Sequence, residues 1–161
     1  NIGLSLIGVA VASMFTATLD QVVVLALFIP VISNMGGNVG IQAVSVAIRG
    51  LSTGEVTFVD FWRVLRKELV VGFTNGLILG TLLGVISFFW QGNPALGLVT
   101  MFGLWANVLV ASLSGGTLPF ILHRLGLDPA MMTGPLLTTL VDVVSILTYL
   151  GLATLFLAYL S

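Results

Sequence analysis

Long apolar stretches alternate with short polar breaks along the chain, and the breaks set its elements. Uncharged runs cover 1–19, 21–48, 69–122 and 129–141, after which Asp142 alone interrupts the apolar sequence that runs to the end. A helix needs about 20 predominantly apolar residues to cross the hydrocarbon of a bilayer. The run 69–122 is long enough for two such helices, divided by Gln91-Gly92-Asn93-Pro94, where glycine and proline favour a turn. The pattern therefore predicts an all-α polytopic membrane protein. Its five transmembrane helices fall at about 1–19, 23–50, 68–90, 95–123 and 129–160, in a single membrane domain over 1–161.

Composition supports lipid as the solvent. Of the 161 residues, 58% are hydrophobic and 7% charged, against roughly 25% charged in a soluble domain. A cytosolic enzyme is excluded, and so is a nucleic-acid binder, because the net charge is −1 with only five Lys and Arg. There is no cysteine, which removes disulfides, zinc–thiolate sites and thiol catalysis. The single histidine cannot build a metal site unaided. No nucleophile–base pair can be assembled, so the chain reads as neither an enzyme nor a holder of an organic cofactor.

The few charges orient the helices. Every Lys and Arg falls within 49–67 or at Arg124, and the positive-inside rule places 49–68 and 123–128 in the cytoplasm. The N-terminus is then cytoplasmic and the C-terminus external. Arg63, Arg66, Lys67 and Glu68 read as a solvated helix end near the lipid headgroups. Apolar sequence follows Asn1 at once, with no secretory signal pattern. The chain reads as a membrane domain cut from a longer protein with cytoplasmic domains upstream.

Two kinds of patterning lie inside the spans. Gly72, Gly76, Gly80 and Gly84 keep an unbroken four-residue spacing, a small-residue face on which another helix can approach closely. The second kind is polar. Asn34, Asn38, Gln42, Ser45 and Arg49 form one stripe, and Thr138, Asp142, Ser145 and Tyr149 form another, flanked by Thr139. Asp142 lies 14 residues after Asp128, or roughly 21 Å along a helix rising about 1.5 Å per residue. A carboxylate at that depth is costly and marks a functional site with a partner to be named. Three arrangements answer the cost: a bound cation, a protonated structural aspartate, or a pair with Arg49. The first is favoured, because no basic residue falls at Asp142's depth. The amide stripe reads either as the lining of an aqueous passage or as interhelical hydrogen bonding.

Carboxylate, hydroxyl, amide and carbonyl oxygens suit a hard cation such as Mg²⁺, Ca²⁺ or Mn²⁺. One carboxylate per chain is too little to strip such an ion of its water, and Mg²⁺ dehydrates reluctantly. A wide site gripping a hydrated ion fits, and a two-fold dimer would bring two Asp142 side chains together.

Pro30-Val-Ile-Ser-Asn-Met-Gly-Gly-Asn-Val-Gly-Ile-Gln42, with Ile48-Arg-Gly-Leu51 and Gly54-Glu55, resembles the signature of the MgtE magnesium channel/transporter family. So does Asp128-Pro129 followed by Gly134-Pro-Leu-Leu-Thr-Thr-Leu-Val-Asp142. The resemblance covers essentially the whole chain. It implies a homodimer in a bacterial or archaeal inner membrane, with an ion pathway between protomers lined by the second and fifth helices. It further implies that Asp142 binds hydrated Mg²⁺ with help from the backbone carbonyl of Thr138, and that cytoplasmic regulatory domains precede the membrane domain. Asn34, Asn38, Gln42, Ser45, Thr139 and Ser145 are then candidate pore-lining residues. Val141 and Ser145 stand where many members carry a polar residue and a glycine, and Gly134 stands where some carry Asn. Voltage-driven, channel-like Mg²⁺ entry is the leading expectation, and Na⁺- or H⁺-coupled exchange on the same scaffold is the alternative.

Overall fold

A computed structural model describes residues 2–160, so Asn1 and Ser161 of the expected domain lie outside the described residues. All regular structure among them is helical. In chain order there are α1 (Ile2–Ser13), α2 (Thr16–Gln21), α3 (Leu25–Thr53), a 3-10 turn at Phe58–Asp60, α4 (Phe61–Gln91), α5 (Pro94–Arg124), α6 (Pro129–Leu155) and α7 (Leu157–Leu160). Four of these, α3 to α6, are long and apolar enough to cross a membrane.

The first apolar run departs from the expected single helix over 1–19. It breaks at Met14 and Phe15, where Met14 N–H bonds the Val11 carbonyl and Phe15 N–H bonds Ala12 in tight three-residue turns. With 12 residues, α1 extends only about 18 Å at about 1.5 Å per residue, short of the ~30 Å hydrocarbon thickness. At the other end the helix expected to run to 160 gives way at Phe156 to the short α7. Between these, α4 begins at Phe61 and not near 68, so its charged first turns project beyond the apolar stretch as continuous helix. Ahead of it, the Asp60 carboxylate accepts from Thr57 N–H (3.1 Å) and Thr57 Oγ1 (3.2 Å) and pairs with Arg63 (2.9 Å). These contacts, the backbone hydrogen bond foremost, hold its carboxyl below the ordinary value of 3.8.

Turn chemistry sets the sharpest boundary. Gly92 follows α4 with φ 68°, a left-handed geometry suited to glycine, and its N–H bonds the Phe88 carbonyl at 2.7 Å. Asn93 then caps α5, its Oδ1 accepting from Ala95 N–H (2.9 Å) and Leu96 N–H (3.3 Å), while Pro94 takes the first helical position. Asn93→Ala should lower stability by about 1 kcal/mol, read as a reduced melting temperature of the detergent-solubilised protein at unchanged helix content.

Helix α5 is the buried centre. Leu96, Val99, Leu104 and Val108 pack with Leu25, Phe28 and Ile32 of α3 and with Ile146, Tyr149 and Leu150 of α6 in one apolar cluster. Tyr149 reaches across to donate its hydroxyl to the Leu25 carbonyl at 3.2 Å. Helix α4 lies on the outer side of α5 along its four glycines. A Cβ at Gly76 would sit 2.9 Å from the Trp105 carbonyl oxygen, one at Gly80 2.5 Å from that of Met101, and one at Gly84 2.7 Å from that of Gly97. The helices thus touch backbone to backbone, the dispersion-driven packing available where the solvent is lipid.

Glu68 departs from the solvated headgroup position expected for it. It is buried at 5% exposure between α4 and α5, where Ser112 Oγ donates to Glu68 Oε2 at 2.7 Å. Lys67 Nζ stands 3.9 Å from the other carboxylate oxygen. The burial is possible because Gly116 has no side chain: a Cβ there would collide with the Glu68 stem.

Helices α3, α5 and α6 each carry an internal proline, Pro30, Pro119 and Pro135. Each removes one rung of the helical hydrogen-bond ladder.

Candidate functional site

The two polar stripes belong to neighbouring, antiparallel helices. Gly36 of α3 faces Val141 of α6 and Gly40 faces Leu137, so four residues forward on α3 match four back on α6. Glycine at these two positions lets the helices approach, and Phe28, Ile32, Gly36, Gly40, Ala43, Ala47 and Gly50 form the buried side of α3. The opposite side carries the stripe: Asn34, Asn38, Gln42, Ser45 and Arg49 are all exposed on the surface of the bundle.

On α6 the matching face carries Thr138 and Asp142, both exposed. Thr139 is half-buried, whereas Ser145 at 2% exposure and Tyr149 at 1% turn inward, off the open face. Thr138 Oγ1 donates to the Gly134 and Pro135 carbonyls (3.2 and 3.1 Å), and Thr139 Oγ1 donates to Pro135 (2.9 Å). With their protons committed to the helix, these hydroxyls present only oxygen lone pairs outward.

Asp142 is held by a residue that the four-residue stripe passes over. Ser33 Oγ donates to Asp142 Oδ1 at 2.5 Å and lies 3.1 Å from Ser145 Oγ, whose proton reaches the Asp142 carbonyl at 2.7 Å. Ser33 sits one position before Asn34, on the flank of α3 that meets α6, and a search for the face alone misses it. The alternative pairing with Arg49 is not seen. Arg63 pairs with Asp60 and Lys67 with Glu68, and among the described residues Arg49 forms no ion pair with Asp142.

The stripe is braced from behind by α5. Asn107, fully buried, donates Nδ2 to the Ile32 carbonyl at 2.8 Å, and Gly36 leaves room for its amide. This bond fixes the turn of α3 that carries Ser33 and Asn34.

The chemistry of the face follows from its inventory. It offers one carboxylate, three amides and several hydroxyls over about three helical turns. Among the described residues no three His, Cys, Asp or Glu are grouped closely enough to hold a metal ion. A surface of this kind can attract a hydrated cation and pass it along oxygen and amide groups. It cannot replace the ion's water shell.

Comparison with known proteins agrees in kind. The family model MgtE, described as a divalent cation transporter, matches residues 29–152. The magnesium transporter MgtE of Bacillus subtilis is 40% identical over 153 residues, covering 95% of this chain and 34% of that protein. The magnesium transporter MgtE of Thermus thermophilus is 43% identical over 143 residues, covering 89% and 32% respectively. That of Enterococcus faecalis is 32% identical over 161 residues, covering 98% and 36%. The chain spans about a third of the length of the curated relatives it matches.

Proposed function

Since the chain belongs to the MgtE family of divalent cation transporters and is a multi-pass protein of the plasma membrane, we propose that it forms the ion-conducting domain of a magnesium transporter. The observation that carries this reading is the single open face on which Asp142, Thr138, Asn34, Asn38 and Gln42 stand exposed on helices otherwise built for lipid. An exposed intramembrane carboxylate and amide row must be covered by water or protein. A second copy related by a two-fold axis covers it with its own equivalent and encloses a polar passage between the protomers. Two Asp142 carboxylates then balance the charge of one divalent ion. Asp142 binds hydrated Mg²⁺, the Thr138 carbonyl assists, and Asn34, Asn38, Gln42, Ser45 and Thr139 border the route.

In this reading α1 and α2 together make a fifth, bent crossing, the N-terminus is cytoplasmic and the C-terminus external. Cytoplasmic regulatory domains belong to the full-length protein, as the larger size of the relatives suggests. No second fuel is required. A membrane potential supplies about 2.3 kcal/mol per charge per 100 mV, and a divalent ion feels twice that.

The test is Mg²⁺ uptake by the purified protein in liposomes at clamped potential. Uptake should grow with inside-negative voltage when no Na⁺ or pH gradient is present. Flux that appears only with an opposing Na⁺ or pH gradient would replace the channel with a coupled exchanger. Absence of flux under both conditions overturns the transport reading.

A further inference from the structure

The bond between Ser33 and Asp142 bears on which cation the site accepts, an inference that rests on Asp142 being the ion site. Of the two carboxylate oxygens, Oδ1 is occupied by the Ser33 hydroxyl at 2.5 Å. Ser33 has one proton. With that proton on the carboxylate and the Ser145 proton on the Asp142 carbonyl, the 3.1 Å approach of the two hydroxyl oxygens carries no proton of its own. The three groups therefore form a closed set in which each hydroxyl proton has a defined acceptor. Ser33 cannot drift away, because the carbonyl of the preceding residue, Ile32, is tied to buried Asn107.

We infer that Ser33 is a specificity-determining residue that confines Asp142 to a one-oxygen grip on the passing ion. Ca²⁺ takes six to eight oxygen ligands in flexible geometry and can grip a carboxylate through one or both oxygens, whereas Mg²⁺ keeps a rigid octahedron and several of its waters. With one Oδ1 lone pair already accepting from Ser33, Oδ2 is the carboxylate oxygen left without a hydrogen bond among the described residues. A hydrated Mg²⁺ needs no more than that oxygen as an acceptor for its bound water. A Ca²⁺ ion that has shed water is denied the two-oxygen chelate that would hold it. To chelate through both oxygens, Ca²⁺ must compete with the Ser33 proton for Oδ1, and weakening that hydroxyl-to-carboxylate bond costs about tenfold in binding.

The experiment compares Ser33→Ala, Ser33→Thr and the unaltered protein in liposomes, measuring Mg²⁺ uptake, Ca²⁺ uptake and block of Mg²⁺ uptake by Ca²⁺. Ser33→Ala should shift the Ca²⁺-to-Mg²⁺ preference about tenfold toward Ca²⁺, seen as tighter Ca²⁺ block. Ser33→Thr, which keeps the hydroxyl, should restore the original preference. A purely structural role for Ser33 moves both ions by one factor and leaves the ratio alone, and that result overturns the inference. Should Ser33→Ala lose flux altogether, calorimetric titration of the purified variant with Mg²⁺ and with Ca²⁺ reads the same ratio at equilibrium. An Asp142→Ala protein that carries both ions normally would defeat the site assignment itself. An unchanged ratio in Ser33→Ala beside a dead Asp142→Ala defeats only the role of Ser33.

Discussion

Asp142→Ala should abolish voltage-driven Mg²⁺ uptake, lowering it at least about a hundredfold. Two unit charges about 4 Å apart at an effective dielectric near 20 attract by about 4 kcal/mol. A hydrated divalent ion stands farther off but carries twice the charge. A hundredfold loss requires only about 2.8 kcal/mol at about 1.4 kcal/mol per decade, so the bound is conservative. Asp142→Asn keeps the volume, removes the charge and should fail equally, separating electrostatics from shape. Folding should survive both changes, because Asp142 is exposed and, among the described residues, its side chain bonds Ser33 alone. Melting temperatures within a few degrees of the unaltered protein, together with lost uptake, is the expected pair of results. Unimpaired uptake by either variant would remove Asp142 from the pathway.

A large loss of stability is expected at Gly80. A methyl group there would lie 2.5 Å from the Met101 carbonyl oxygen and 3.3 Å from the Trp105 Cβ. Because the nearer obstacle is backbone, it cannot rotate aside, and α4 must move off α5. Overpacking of this kind costs about 1–3 kcal/mol for a small insertion, and Gly80→Leu should exceed that range. Gly151→Ala is the matched control, since a Cβ at Gly151 meets nothing within 4 Å. Thermal melting in detergent should show a large drop for Gly80→Leu, a smaller one for Gly80→Ala and none for Gly151→Ala. Equal melting temperatures for Gly80→Leu and Gly151→Ala would mean that the close approach contributes nothing.

Periodicity is legible in this sequence wherever one helix face has one purpose. The four-residue glycine spacing names the side of α4 that meets α5, and the stripe from Asn34 to Arg49 names the side of α3 that stays open. Hydropathy is less informative where a helix continues past the apolar stretch. Arg63, Arg66 and Lys67 mark the end of the apolar run, yet α4 continues through them because nothing there breaks a helix. Glu68 looks solvated by its neighbours in sequence. Its neighbour in space is Gly116, and the missing side chain makes a slot for it. A signal for that was present: Glu68 stands four residues before Gly72 and continues the series through Gly84. The bend at Met14 and Phe15 has no such sign, since neither proline nor glycine marks it. The contact of Ser33 with Asp142 is not legible in the sequence, because it lies at the seam between two helices, and seams follow register, which one sequence does not contain.

Stiffness is distributed unevenly through this bundle. Where α4 meets α5, carbonyls press on glycine backbone with no side chain between to yield, so the pair behaves as a single beam. The helices that carry the polar groups are built otherwise. Pro30 and Pro135 each delete a rung from their helices, and missing rungs are where helices bend. Compliance is thus placed in α3 and α6 beside the polar groups, while the internal proline of α5, Pro119, lies beyond the Gly97-to-Ser112 stretch that packs on the α4 glycines. A bend at either proline swings the stripe beyond it as a lever while the α4–α5 beam serves as its fulcrum.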